Sequence, residues 1–135
     1  AAMGLCTLRH FPEEIAKRKQ VYERYRERLT GVTGLKLPPQ QANVTPNYAY
    51  FPVVFLDAYG ETRDEAAERL QARGYFPRKY FYPCTNAFPF LGQRYTPEST
   101  PIAAAVSRRV LTLPLYADLE LADVDEICRI LRREV

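Results

Sequence analysis

The sequence predicts an α+β fold, a small three-stranded sheet with helices packed on one face. Three observations lead there. The patterns run helix, helix, strand, helix, strand, helix, strand, helix along the chain. A right-handed crossover between the first two strands leaves room for the third to lie antiparallel between them. The 135 residues, 47% hydrophobic and 26% charged, suffice for the core of one compact domain.

The opening stretch reads as helix with one interruption. Residues 1–8 are strong helix formers without a cap, and apolar from the start. Pro12 fits the first turn of a second helix, with Glu13 and Glu14 suited to the positive end of its dipole. Ile15, Val21 or Tyr22, Tyr25 and Leu29 recur at helical spacing, and the charges between them form a solvated face. Residues 30–47, with two glycines and three prolines, read as a connecting loop.

YAYFPVVFL, residues 48–56, is rich in β-formers, and Pro52 argues for an edge position or a bulge. Thr62 caps an amphipathic helix that Gly74 stops. Residues 77–82 look extended, and 83–98 are proline-rich loop. Pro101 starts a short helix, VLTLPLY forms a strand ending at Pro114, and Leu121, Val124, Ile127 or Cys128 and Leu131 stripe a closing helix.

The totals exclude several function classes. A net charge of +3 is too mild for a dedicated nucleic-acid binder. Cys6, Cys84 and Cys128 are odd in number and form no C-x-x-C pair, and His10 is the single histidine, so neither a disulfide framework nor a zinc site is expected. No run approaches the roughly eighteen apolar residues of a membrane span. The N-terminus lacks a signal-peptide pattern, and a cytoplasmic protein without membrane attachment is expected.

Dinucleotide, Walker and nucleophile-elbow motifs are absent, and the acidic residues show no paired-carboxylate pattern. His10 reads as structural and Cys84 as a buried or half-buried thiol. The unusual stretch is RKYFYP, residues 78–83. Arg78, Lys79, Tyr80 and Tyr82 could converge on one anionic ligand, since arginine clasps phosphate through two N–H groups and tyrosine stacks or donates. An aromatic strand flanked by solvated cations, or a single-stranded nucleic-acid surface, would use the same residue types.

The order NYAYFPVVF, RKYFYP, a polar and aromatic loop, then AAAVSRRVLTLPLYADLELADVDEICRIL resembles the C-terminal portion of the DegT/StrS family. These are pyridoxal-phosphate (PLP)-dependent aminotransferases acting on nucleotide-linked keto sugars. The resemblance spans the chain and implies the small C-terminal domain of an aspartate-aminotransferase-like fold. It implies that a large N-terminal domain, absent from residues 1–135, carries the PLP and its lysine, so the isolated chain is expected to be inactive. Arg78, Lys79, Tyr80, Phe81 and Tyr82 are then expected to contact the nucleotide sugar, and Thr85 stands where relatives often carry a histidine. The implied partners are the nucleotide sugar, best matched to dTDP-4-keto-6-deoxyglucose, glutamate as amino donor, and a second copy in a homodimer. A PLP-dependent sugar dehydratase and a non-catalytic nucleotide-sugar-binding module are the alternatives.

Overall fold

A computed structural model of the protein describes residues 1–134. Helix α1 (Ala2–Leu29) is followed by strands β1 (Leu35–Lys36) and β2 (Phe51–Phe55), then helix α2 (Arg63–Gln71). Helix α3 (Pro101–Arg109) runs directly into strand β3 (Val110–Leu113), and helix α4 (Leu121–Arg132) follows. The strands form one antiparallel sheet in the order β1-β2-β3. The expected α+β layer is therefore present.

One face of the sheet builds the core. Phe51, Val53 and Phe55 of β2 point the same way as Leu111 and Leu113 of β3. Against them pack Val21, Tyr25 and Leu29 of α1, Ala66, Ala67 and Leu70 of α2, and Val124, Ile127, Cys128, Ile130 and Leu131 of α4. Three helices thus share one face of the sheet. Helix α3 stands apart, its buried Ala104 and Ser107 lying outside that cluster. Arg24 and Arg28 both reach Asp125, tying the end of α1 to α4 at 2.7 and 2.9 Å.

Two expectations are corrected. The two N-terminal helices are one continuous helix with Pro12 inside it. Proline removes the bond to the carbonyl of Leu8, but both residues are exposed, so water can serve that carbonyl. His10 consequently lies on an exposed helix face and not in a break. The second correction concerns residues 77–82, of which only Arg78 pairs with the sheet, through a single antiparallel bridge to Thr112. The third strand of the sheet is instead β1, two residues within the expected loop.

Pro52 has a local explanation. Thr112 exchanges both its backbone bonds with Arg78, at 2.9 and 2.7 Å, so its N–H and C=O point away from β2. Pro52 sits opposite Thr112 in a pair that needs no hydrogen bond. Its nitrogen faces the β1 side, beyond the two residues where β1 pairs. A proline in a middle strand costs this sheet no ladder bond.

The cysteines differ sharply in setting. Cys128 is 1% exposed, and burial pushes its thiol up to about 12, whereas Cys6 is exposed and Cys84 half-buried. Iodoacetamide at about pH 8 is expected to modify Cys6 and Cys84 and spare Cys128, because the thiolate is the nucleophile. Peptide mass spectrometry reads this directly. Native-state labelling of Cys128 as fast as Cys6 would contradict the packing of α4.

Candidate functional site

The bridge to Thr112 fixes the start of the 78–82 segment beside the end of β3. There a cleft of about 410 Å³ opens between Tyr50, Phe76, Arg78, Tyr80 and Tyr116. Arg78 Nη1 donates to the Tyr80 hydroxyl at 3.1 Å, and Tyr80 meets Tyr50 edge to face at 5.7 Å. Among the described residues no carboxylate lies within salt-bridge distance of Arg78. A guanidinium and three phenols thus line one wall, with donors available to an anion and rings available for stacking.

Tyr80 also borders a second, more apolar hollow of about 620 Å³. Phe81, Thr85, Cys84, Tyr95 and Val106 line it, and Phe81 stacks on Tyr80 at 5.1 Å. Its outer rim comes from the proline-rich loop, where Asn86 Nδ2 donates to the carbonyl of Thr96 (2.7 Å) and the hydroxyl of Thr100 (2.8 Å).

The remaining two candidates turn towards α2. Lys79 Nζ sits 2.5 Å from Asp64 Oδ1, and the Tyr82 ring lies under the Arg63 guanidinium, 4.6 Å from its centroid. The Lys79 ammonium, aided by Arg63, holds the Asp64 carboxyl below the usual carboxylate range. Of the six sequence candidates, Arg78 and Tyr80 share the cleft, Tyr80, Phe81 and Thr85 share the hollow, and Lys79 and Tyr82 face the start of α2.

Sequence reasoning did not find Tyr50, Tyr116, Arg63 or Asp64. A signal existed for Arg63, because a cation in the first turn of a helix opposes the dipole and calls for a tertiary partner. Tyr50 and Tyr116 become visible only once β2 and β3 are paired.

The sequence matches the DegT/DnrJ/EryC1/StrS aminotransferase family over residues 1–132. The chain belongs to this family. Among curated relatives of this DegT/DnrJ/EryC1/StrS chain, dTDP-4-amino-4,6-dideoxy-D-glucose transaminase of Escherichia coli is 37% identical over 97% of the chain and 36% of its own length. The dTDP-4-dehydro-2,3,6-trideoxy-D-glucose 4-aminotransferase of Saccharopolyspora spinosa is 32% identical over 92% of the chain and 31% of its own length. The crystal structure of DesI with its TDP-sugar product superposes with a TM-score of 0.87 at 31% identity, over 98% of this chain and 34% of DesI. The chain thus spans about a third of the length of the relatives it matches. Its four helices and antiparallel sheet correspond to the small domain of sugar aminotransferases.

The family is PLP-dependent. The Streptococcus pneumoniae protein Spr1654, solved in both PLP and PMP forms, shares the fold with a TM-score of 0.85 at 20–21% identity. The residues of this family member do not by themselves fit the cofactor. Lys17 pairs with Asp118, Lys19 with Glu23 and Lys79 with Asp64, while Lys36 is exposed on β1. No lysine lines either the cleft or the hollow. No helix among the described residues is long and apolar enough to cross a membrane.

Proposed function

We propose that this chain is the C-terminal, substrate-side domain of a PLP-dependent aminotransferase that moves an amino group from glutamate to a nucleotide-linked keto sugar. In this reading the cofactor and its lysine belong to a large N-terminal domain corresponding to the other two thirds of the relatives' length. The isolated chain is then inactive, and the complete enzyme is a cytoplasmic homodimer. dTDP-4-keto-6-deoxyglucose is the favoured acceptor, supported by the dTDP-sugar transaminases among the relatives.

The observation that carries the reading is the pairing of Arg78 with Tyr80 on the cleft wall, beside Tyr50 and Tyr116. A guanidinium with no carboxylate partner among the described residues suits the diphosphate of a nucleotide sugar, because its planar fork matches two phosphate oxygens at once. The adjoining phenols offer stacking faces and hydroxyl donors, and Phe81 and Thr85 lie next to them around Tyr80.

The test uses the full-length enzyme with PLP. Glutamate should convert the bound PLP to the pyridoxamine form, read by absorbance, and the keto sugar should restore it. PLP that glutamate leaves unchanged would favour the dehydratase, and absence of PLP binding a binding module. Arg78→Ala is expected to raise KM for the nucleotide sugar about tenfold, the scale of one lost charge-assisted contact. The glutamate half-reaction should change much less. Equal losses in both half-reactions would reject a substrate-side role for Arg78.

A further inference from the structure

Arg63 is the first residue of α2 and only 3% exposed. Its guanidinium is engaged on several sides. Nη1 donates to the carbonyls of Ser107 at 2.8 Å and Val110 at 3.0 Å, and Nε donates to Asp64 Oδ1 at 2.8 Å. The Tyr82 ring covers it, and Asp64 passes the contact on to Lys79. A buried guanidinium stripped of these partners is costly, so Arg63 is held where its acceptors are.

Those acceptors belong to the α3–β3 junction, and β3 is the strand whose Thr112 bridges Arg78. The start of α2 is itself fixed by a capping box, in which the Thr62 hydroxyl accepts from Glu65 N (3.2 Å) and Glu65 Oε2 accepts from Thr62 N (2.7 Å). Residues 78–82 are therefore held at Arg78 by backbone and at Lys79 and Tyr82 by side chains on one rigid helix start. Arg78 and Tyr80 are left to line the cleft.

We infer that Arg63 and Asp64 are positioning residues for the nucleotide-sugar site, gripping Lys79 and Tyr82 so that Arg78 and Tyr80 face the cleft. This role presupposes the function proposed above. Lys79 then acts through Asp64 and does not touch the substrate. A one-ångström misplacement of a binding group is enough to change turnover substantially, which is why such a clamp matters to the reaction.

The experiment is a double-mutant cycle in the full-length holoenzyme with Asp64→Asn, Lys79→Met and the pair combined. Each single variant is expected to raise KM for the nucleotide sugar about fivefold, a modest figure because the ion pair is half exposed. The combined variant should be no worse than the worse single one, since both remove the same contact. Lys79→Arg should keep KM near the parent value. A general folding defect would lower both half-reactions together, whereas the clamp raises the sugar KM with a smaller effect on the glutamate half-reaction. Multiplying losses in the double variant would make Lys79 a substrate contact and overturn the clamp. Tyr82→Leu provides a second route that leaves the buried guanidinium hydrogen-bonded, and an unchanged sugar KM there would also count against it. Arg78→Ala separates the two proposals. If it leaves the sugar KM unchanged, the site itself is misassigned; if it raises KM while the cycle is additive, only the clamp fails.

Discussion

Gly34→Ala should destabilise the protein by about 4 kcal/mol, combining an unfavourable left-handed backbone with overpacking. Gly34 has φ +79°, and an added Cβ would fall 2.0 Å from Tyr59 N and 2.6 Å from the carbonyl carbon of Ala58. Both are backbone atoms, so no side-chain rotation relieves the clash. The short 3-10 turn Asp57–Tyr59 would have to move as a unit. That turn carries the Tyr59 ring against Phe55 at 5.0 Å and its hydroxyl to the carbonyl of Leu131 at 2.5 Å. The Leu56 N to Gly34 O bond of 2.8 Å, which extends the β1–β2 ladder, is lost with it. Gly31 supplies the control, because its φ is +82° but nothing lies within 4 Å of its Cβ position. Gly31→Ala should cost only the backbone term, about 1–2 kcal/mol. Equal losses for the two substitutions in urea unfolding would mean that the close approach to Tyr59 is not formed.

Phe51→Ala is expected to cost about 4 kcal/mol, the usual range for deleting a buried phenyl ring. Phe51 is completely buried, and it is the ring on which α1 rests. Tyr22 meets it edge to face at 4.9 Å and the Tyr25 ring lies tilted over it, 31° from parallel, at 5.0 Å, while its backbone pairs with Leu113. Only Val21, Tyr25 and Leu29 of α1 are buried, so this seam carries most of the helix's attachment to the sheet. Ile102→Ala, at a position 81% exposed, should leave the urea midpoint within experimental error. A loss below about 1 kcal/mol for Phe51→Ala would mean that α1 does not pack through this ring.

Local signals in the sequence were legible wherever one residue type decides the structure. Thr62 caps α2, Pro101 opens α3, and the helical spacing of Val21, Tyr25 and Leu29 names the face of α1 that is buried. Where the outcome depends on distant partners, the sequence was mute or misleading. Pro12 looks like a helix boundary, but solvent exposure lets the helix run through it. Pro52 looks like an edge residue, yet the register opposite Thr112 makes its missing donor irrelevant within a middle strand. The same division holds at the site. RKYFYP is conspicuous as composition, but that Lys79 and Tyr82 turn to Asp64 and Arg63 while Arg78 and Tyr80 line the cleft becomes visible only once α2 is docked beside the α3–β3 junction.

The single bridge between Arg78 and Thr112 has an evolutionary consequence. A backbone bridge does not read side chains, so the sheet accepts any residue but proline, which lacks the N–H that Thr112 receives, at its attachment point. Positions 78, 80 and 81 can therefore be rewritten without disturbing a ladder bond, while 79 and 82 remain bound to α2 by what their side chains do. Selection acting on such a segment can change the lining of the cleft and of the adjoining hollow in single substitutions. The scaffold beneath it need not change at all.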